Sequence, residues 1–66
     1  MLNLKYERVK RDLTQPELGA MANVDPCAIS RAERHGYAYP GHLRRLAAAL
    51  DWKGDPRELL HEAKVI

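Results

Sequence analysis

The sequence predicts an all-α fold, a bundle of five short helices in a single domain over residues 1–66. Three observations carry that expectation. Thr14 followed three residues later by Glu17 is a capping box: the threonine oxygen accepts an orphan N–H and the glutamate reaches back. Asp25-Pro26 and Asp55-Pro56 repeat a second start signal. Asp is a strong N-cap, and proline fits the first helical position, where its missing N–H costs nothing. Leu43, Leu46, Ala47 and Leu50 recur at the spacing of one helix face.

Taken in order, Asn3 can cap a first helix running through Lys10 or Arg11, with Leu4 and Val9 facing inward. Arg8 lies one turn after Leu4 and also points inward, so it needs a carboxylate partner; Glu33 is the candidate. The alternative is that both are surface charges. Asp12-Leu13 ends this helix, and a second runs from about Gln15 to Ala22. Gln15 sits at its N-terminus, where free N–H groups and the helix dipole favour a phosphate. Otherwise it is an ordinary exposed first-turn residue. Gly19 weakens the helix but allows a close approach by the next one. Ala22-Asn23-Val24 leaves only a tight turn, and Asn tolerates the left-handed conformation such a turn needs. A third helix runs from Pro26 to about Arg34, and Leu18, Met21, Val24 and Ile29 are spaced to meet in one apolar wedge. Two short helices joined in this way, over about residues 14–34, make a helix-turn-helix.

The run Thr14-Gln15, Glu17-Leu18, Val24, Ile29-Ser30 and Glu33 resembles the DNA-binding domain of the Cro and lambda-type repressor family. That family's usual pattern is T-Q-x-E-L-A, then G-V-S, then I-S-x-x-E. The similarity extends back to Leu4, Arg8 and Val9, and forward to Pro40 and Leu46-Ala47-Ala48-Ala49-Leu50. The resemblance implies a compact, lambda-repressor-like domain whose third helix enters the major groove. It also implies that Gln15 contacts the DNA backbone and braces the third helix, and that Arg8 and Glu33 pair across the fold. Three departures stand out. Gly19 replaces the usual alanine, Pro26-Cys27-Ala28 occupies a turn where many relatives carry glutamine, serine or arginine, and Tyr37 and Tyr39 lie where relatives often place lysine, arginine or asparagine.

On the third helix Ile29 and Ala32 share the inward side, leaving Cys27, Ala28, Ser30, Arg31 and Arg34 for solvent or DNA. Arg31 is the best candidate for a bidentate guanine contact, with Ser30 and Cys27 secondary; Ala28 offers only an apolar contact to a thymine methyl, and Pro26 donates nothing. Base reading is therefore assigned to Pro26, Cys27, Ala28, Ser30 and Arg31. Backbone contact is assigned to Thr14, Gln15, Arg34, Tyr37 and Tyr39. The tyrosine hydroxyls can bond phosphate without bringing charge, or the rings instead cover the small core. Asp25 would repel phosphate unless its charge is used in capping. Cys27 at a helix N-terminus invites a redox role, against the plainer reading of a small residue that fits. Gly36 supplies the positive-φ turn after the third helix.

Pro40 starts a fourth helix reaching Leu50, with Arg44 and Arg45 on its outer side, and Trp52 caps the core from the following loop. The last helix opens at Pro56 and runs through His61 or beyond. Leu59, Leu60, Ala63, Val65 and Ile66 offer more apolar surface than one short helix buries, which suggests a homodimer contact.

Composition bounds the rest. One cysteine and three scattered histidines give no metal-ligand spacing and exclude an intramolecular disulfide, which suits a reducing cytosol. No apolar run reaches membrane-spanning length, and Met1-Leu2-Asn3 does not read as a signal peptide. The net charge is +2; Lys and Arg exceed Asp and Glu by eight to five through Arg45, then trail three to four. A basic front of that kind would orient the domain on a phosphate backbone. The expected function is a sequence-specific DNA-binding transcriptional regulator, a cytoplasmic repressor acting as a homodimer on double-stranded DNA, with no cofactor and no small-molecule ligand. The alternative is a protein-interaction module that keeps the fold without operator binding. No enzymatic triad of nucleophile, base and orienter is suggested.

Overall fold

The computed structural model describes residues 1–64; Val65 and Ile66 lie outside the described residues. Among these the chain forms four α-helices, α1 (Asn3–Lys10), α2 (Gln15–Ala22), α3 (Pro26–His35) and α4 (Pro40–Ala49), then one 3₁₀ helix (Pro56–Leu60). The local start signals act as their chemistry requires. Thr14 Oγ1 accepts from the Glu17 N–H at 3.1 Å, and Glu17 Oε1 accepts from the Thr14 N–H at 2.8 Å. Asp25 Oδ1 accepts from the Cys27 N–H at 2.8 Å, and Asp55 caps the 3₁₀ helix in the same way. Asn23 (φ 56°) and Gly36 (φ 67°) take the left-handed conformation that closes α2 and α3.

Among the described residues eleven side chains form the core: Leu4, Leu18, Ala22, Val24, Ile29, Ala32, Leu43, Leu46, Ala47, Leu50 and Leu59. All are small or aliphatic. Gly19 is where α2 meets the start of α3, and a β-carbon there would lie 2.5 Å from the Val24 carbonyl oxygen. The glycine therefore permits the close approach, at a cost in helix propensity of about 1 kcal/mol.

Several local expectations are corrected. Asn3 does not cap α1: Leu2 holds that position, while Asn3 Nδ2 donates to the Glu58 carbonyl at 2.8 Å. Val9 is half exposed rather than inward. At 100° per residue it lies far round the helix from Leu4, whereas Arg8 lies close to it. Met21 is likewise 56% exposed, and Ala22 takes its place in the wedge with Leu18, Val24 and Ile29. The fifth element is a 3₁₀ helix ending at Leu60, not an α-helix through His61. After it the chain turns extended; Leu2 and Glu62 make a single antiparallel bridge, flanked by the Asn3 N–H to His61 and Ala63 N–H to Met1 hydrogen bonds. Leu59 is fully buried and Leu60 packs half-buried against the core, so these two are not surplus surface. The expectation for Val65 and Ile66 falls outside the described residues.

Candidate nucleic-acid interface

The α2–α3 pair is held from behind by one charged cluster. Arg8 Nε and Nη2 donate to the two carboxylate oxygens of Glu33 at 2.7 and 3.0 Å, and Arg8 Nη1 donates to the Leu13 carbonyl at 2.7 Å. Gln15 Nε2 donates to Glu33 Oε1 at 3.1 Å. The side chains of Arg8 and Glu33 are only 12% and 4% exposed, so this two-pronged contact ties α1, α2 and α3 together where a lone charge would be costly. The Glu33 hydrogen bond raises the Arg8 pKa against the opposing pull of burial. Gln15 thus spends its amide nitrogen on bracing α3. Thr14 is exposed, with its hydroxyl committed to the cap.

Glu7 and Arg11 form a second cluster that the sequence reading missed. Glu7 is buried, and Arg11 bonds both its carboxylate and, through Nη2, the Leu50 carbonyl at 2.6 Å. Burial pushes the Glu7 carboxyl up, but the Arg11 hydrogen bond and the charges of Lys10 and Arg11 outweigh it and leave the pKa lowered. The available signal was the spacing of Glu7 to Lys10 and Arg11, which places opposite charges on one helix face.

The outer side of α3 contrasts with this. Pro26, Cys27, Arg31 and Arg34 are exposed, while Ala28 and Ser30 sit half-buried on its two flanks. Among the described residues neither Arg31 nor Arg34 pairs with a carboxylate, and the same holds for Arg44 and Arg45 on α4. Glu33 is the only acidic residue from Pro26 through Leu50, and it faces Arg8. α3 and α4 therefore carry four arginines with no carboxylate partner among the described residues, while the exposed Asp25 sits at the tip of α3 and Asp55 lines a hollow with Arg44.

The turn between α3 and α4 completes this surface. Tyr37 and Tyr39 are 53% and 56% exposed, so neither ring lies over the core. They meet edge to face at 5.7 Å, and Tyr39 meets His42 in the same way at 5.5 Å. Between the turn and α3 lies a shallow depression of about 50 Å³, lined by Ala28, Arg31, Tyr37, Ala38, Tyr39 and His42. It gathers four of the sequence-selected residues and adds Ala38 and His42. Pro26, Cys27, Ser30 and Arg34 are on α3 outside it, and Thr14 and Gln15 belong to the start of α2.

Among the described residues no group of three or more His, Cys, Asp or Glu side chains is arranged to hold a metal, and no helix is long and apolar enough to cross a membrane. Comparison with protein families, with curated proteins and with solved structures finds no match to this chain.

Proposed function

We propose that the chain is a sequence-specific DNA-binding transcriptional regulator, with α2 and α3 as a helix-turn-helix and α3 laid into the major groove. The observation that carries the reading is the charge segregation on α3 and α4. Four unpaired arginines share the solvent side, and the one acid of that stretch is turned inward onto Arg8. An excess of unpaired arginines attracts a phosphate backbone and releases its counterions, and the exposed Asp25 at the tip of α3 has its carboxylate engaged by the Cys27 N–H. In this reading Arg34, Tyr37, Tyr39 and the α2 N-terminus position the domain, and Arg31, Ser30, Cys27 and Ala28 face base edges, with Pro26 alongside. Gln15 has a bracing role through Glu33.

The regulator acts as a repressor by occupancy, as a cytoplasmic homodimer on a palindromic operator with half-sites roughly 34 Å apart. The dimer is carried by the family resemblance alone. No catalysis or cofactor enters this reading. Retarding a random duplex pool at moderate salt and sequencing the retained fraction is the test. An enriched palindrome is expected, bound with a log affinity–log salt slope on the order of −3 to −6 for a dimer. No retention, or a slope near zero, rejects DNA binding. A second reading, a protein-interaction module on the same fold, is favoured by the exposed tyrosine pair and the uncharged first turn of α3. It becomes the better one if the pool yields nothing.

A further inference from the structure

We infer that the depression between α3 and the following turn receives the 5-methyl group of a thymine, beside a guanine read by Arg31. This rests on the DNA-binding reading and specifies what that surface selects. Ala28 and Ala38 contribute methyl groups to the depression; both are half-buried and pack against the core, so they cannot move aside. The rings of Tyr37 and Tyr39 wall it and hold each other edge to face. At about 50 Å³ it has room for one methyl group, since a space of about 10–15 Å³ already holds a water molecule.

The chemistry of the major groove then narrows the occupant. The thymine methyl is the apolar group exposed on a base edge there. Alanine methyls neither donate nor accept, so an adenine or cytosine amine pressed against them would lose its water without gaining a partner. Arg31 lies one helical turn from Ala28. Both residues line the depression, so a guanine bound by Arg31 adjoins the base whose methyl group enters it. Because Arg31 has no carboxylate partner among the described residues, its guanidinium is free for guanine O6 and N7. The recognised element is a 5-methylpyrimidine next to guanine, and 5-methylcytosine presents the same methyl group with an amine in place of the thymine carbonyl.

The test uses the full chain and the duplex enriched from the random pool. Each thymine is replaced singly by deoxyuridine, which removes only the methyl group. One thymine per half-site should be sensitive, losing about fourfold in affinity, the worth of one buried methyl. It should adjoin the guanine whose preference disappears in Arg31→Ala. Tyr37→Ala, at an exposed position safe for folding, should abolish the thymine–uracil difference while weakening binding to both duplexes alike through the backbone contact assigned to its hydroxyl. At the same position 5-methylcytosine should bind better than cytosine but below thymine. Uracil tolerated everywhere, a sensitive thymine away from that guanine, or an unchanged difference in Tyr37→Ala overturns the inference and leaves DNA binding standing. Failure to retain any duplex overturns both.

Discussion

Arginine has two fates in this molecule. Along α1, Arg8 and Arg11 are drawn against Glu33 and Glu7, and each also satisfies a backbone carbonyl, at Leu13 and Leu50. Along α3 and α4, Arg31, Arg34, Arg44 and Arg45 meet no carboxylate among the described residues. The residue type is the same, and the difference lies in where the acids are. Glu33 could have neutralised the outer face of α3, but it lies on the inner side and is consumed by Arg8 and Gln15. One inward carboxylate thus does two things: it staples three helices, and it leaves the arginines of α3 and α4 without a carboxylate partner among the described residues. Lys5 and Lys64 are also unpaired among the described residues, but as single charges outside that face.

The sharpest way to break the comparison is Arg8→Ala. It strands the nearly buried Glu33 with only Gln15 as partner, an expected loss of about 3–5 kcal/mol. Each kcal/mol is about 4–8 °C in a domain of this size, so a thermal melt should show collapse of most of the stability. A parent-like melt would mean that the pair is not holding the fold. Arg11→Ala comes next. It leaves the buried Glu7 carboxylate with only the longer Lys10 contact and the Leu50 carbonyl without its guanidinium donor, and about 1–3 kcal/mol should be missing in urea titrations.

Arg31→Ala probes the other fate. Stability should stay within about 0.5 kcal/mol, while discrimination at one base position falls by about 1–3 kcal/mol in operator titrations. Unchanged binding to every sequence would remove Arg31 from recognition.

Acid sharpens the contrast without mutation. The folded Glu7 carboxyl is held below its ordinary 4.5, and Asp55, hydrogen-bonded by Arg57, is lowered to about 2 from 3.8. A carboxyl depressed by folding stabilises fully above its unfolded value, and that contribution is lost as pH falls through the folded value. Melting temperature should therefore decline below pH 4.5, and Glu7→Gln should flatten the upper part of that decline. A parent-like pH profile in Glu7→Gln would show that Glu7 carries none of it. The smallest effect belongs to Lys53→Ala. Its pair with Asp51 is 84% and 79% exposed on the two sides, so its melt should be indistinguishable from the parent's.

What the sequence by itself determined is what local chemistry can settle. Thr14 with Glu17, Asp25 with Pro26 and Asp55 with Pro56 mark starts because capping partners are two or three residues apart and find each other before anything packs. Asn23 and Gly36 close helices for the same kind of reason, a single residue's tolerance of positive φ. Tertiary structure decided which sides of the helices face in. The turn of α2 offers Met21 and Ala22 side by side, and the space beside Val24 admits the smaller one. Val9 was left outside while Glu7 was taken in, because Arg11 reaches the end of α4 and shields that carboxylate. The last segment became a 3₁₀ helix whose end is drawn back to Leu2 across the molecule. The Arg8–Glu33 pair and the outward placement of Arg31, Arg34, Arg44 and Arg45 were foreseen; that these four meet no carboxylate among the described residues, and the depression, were not. Whether an arginine is free depends on residues far along the chain, and a hollow exists only once a turn has folded back against a helix. Spacing along a sequence carries neither fact.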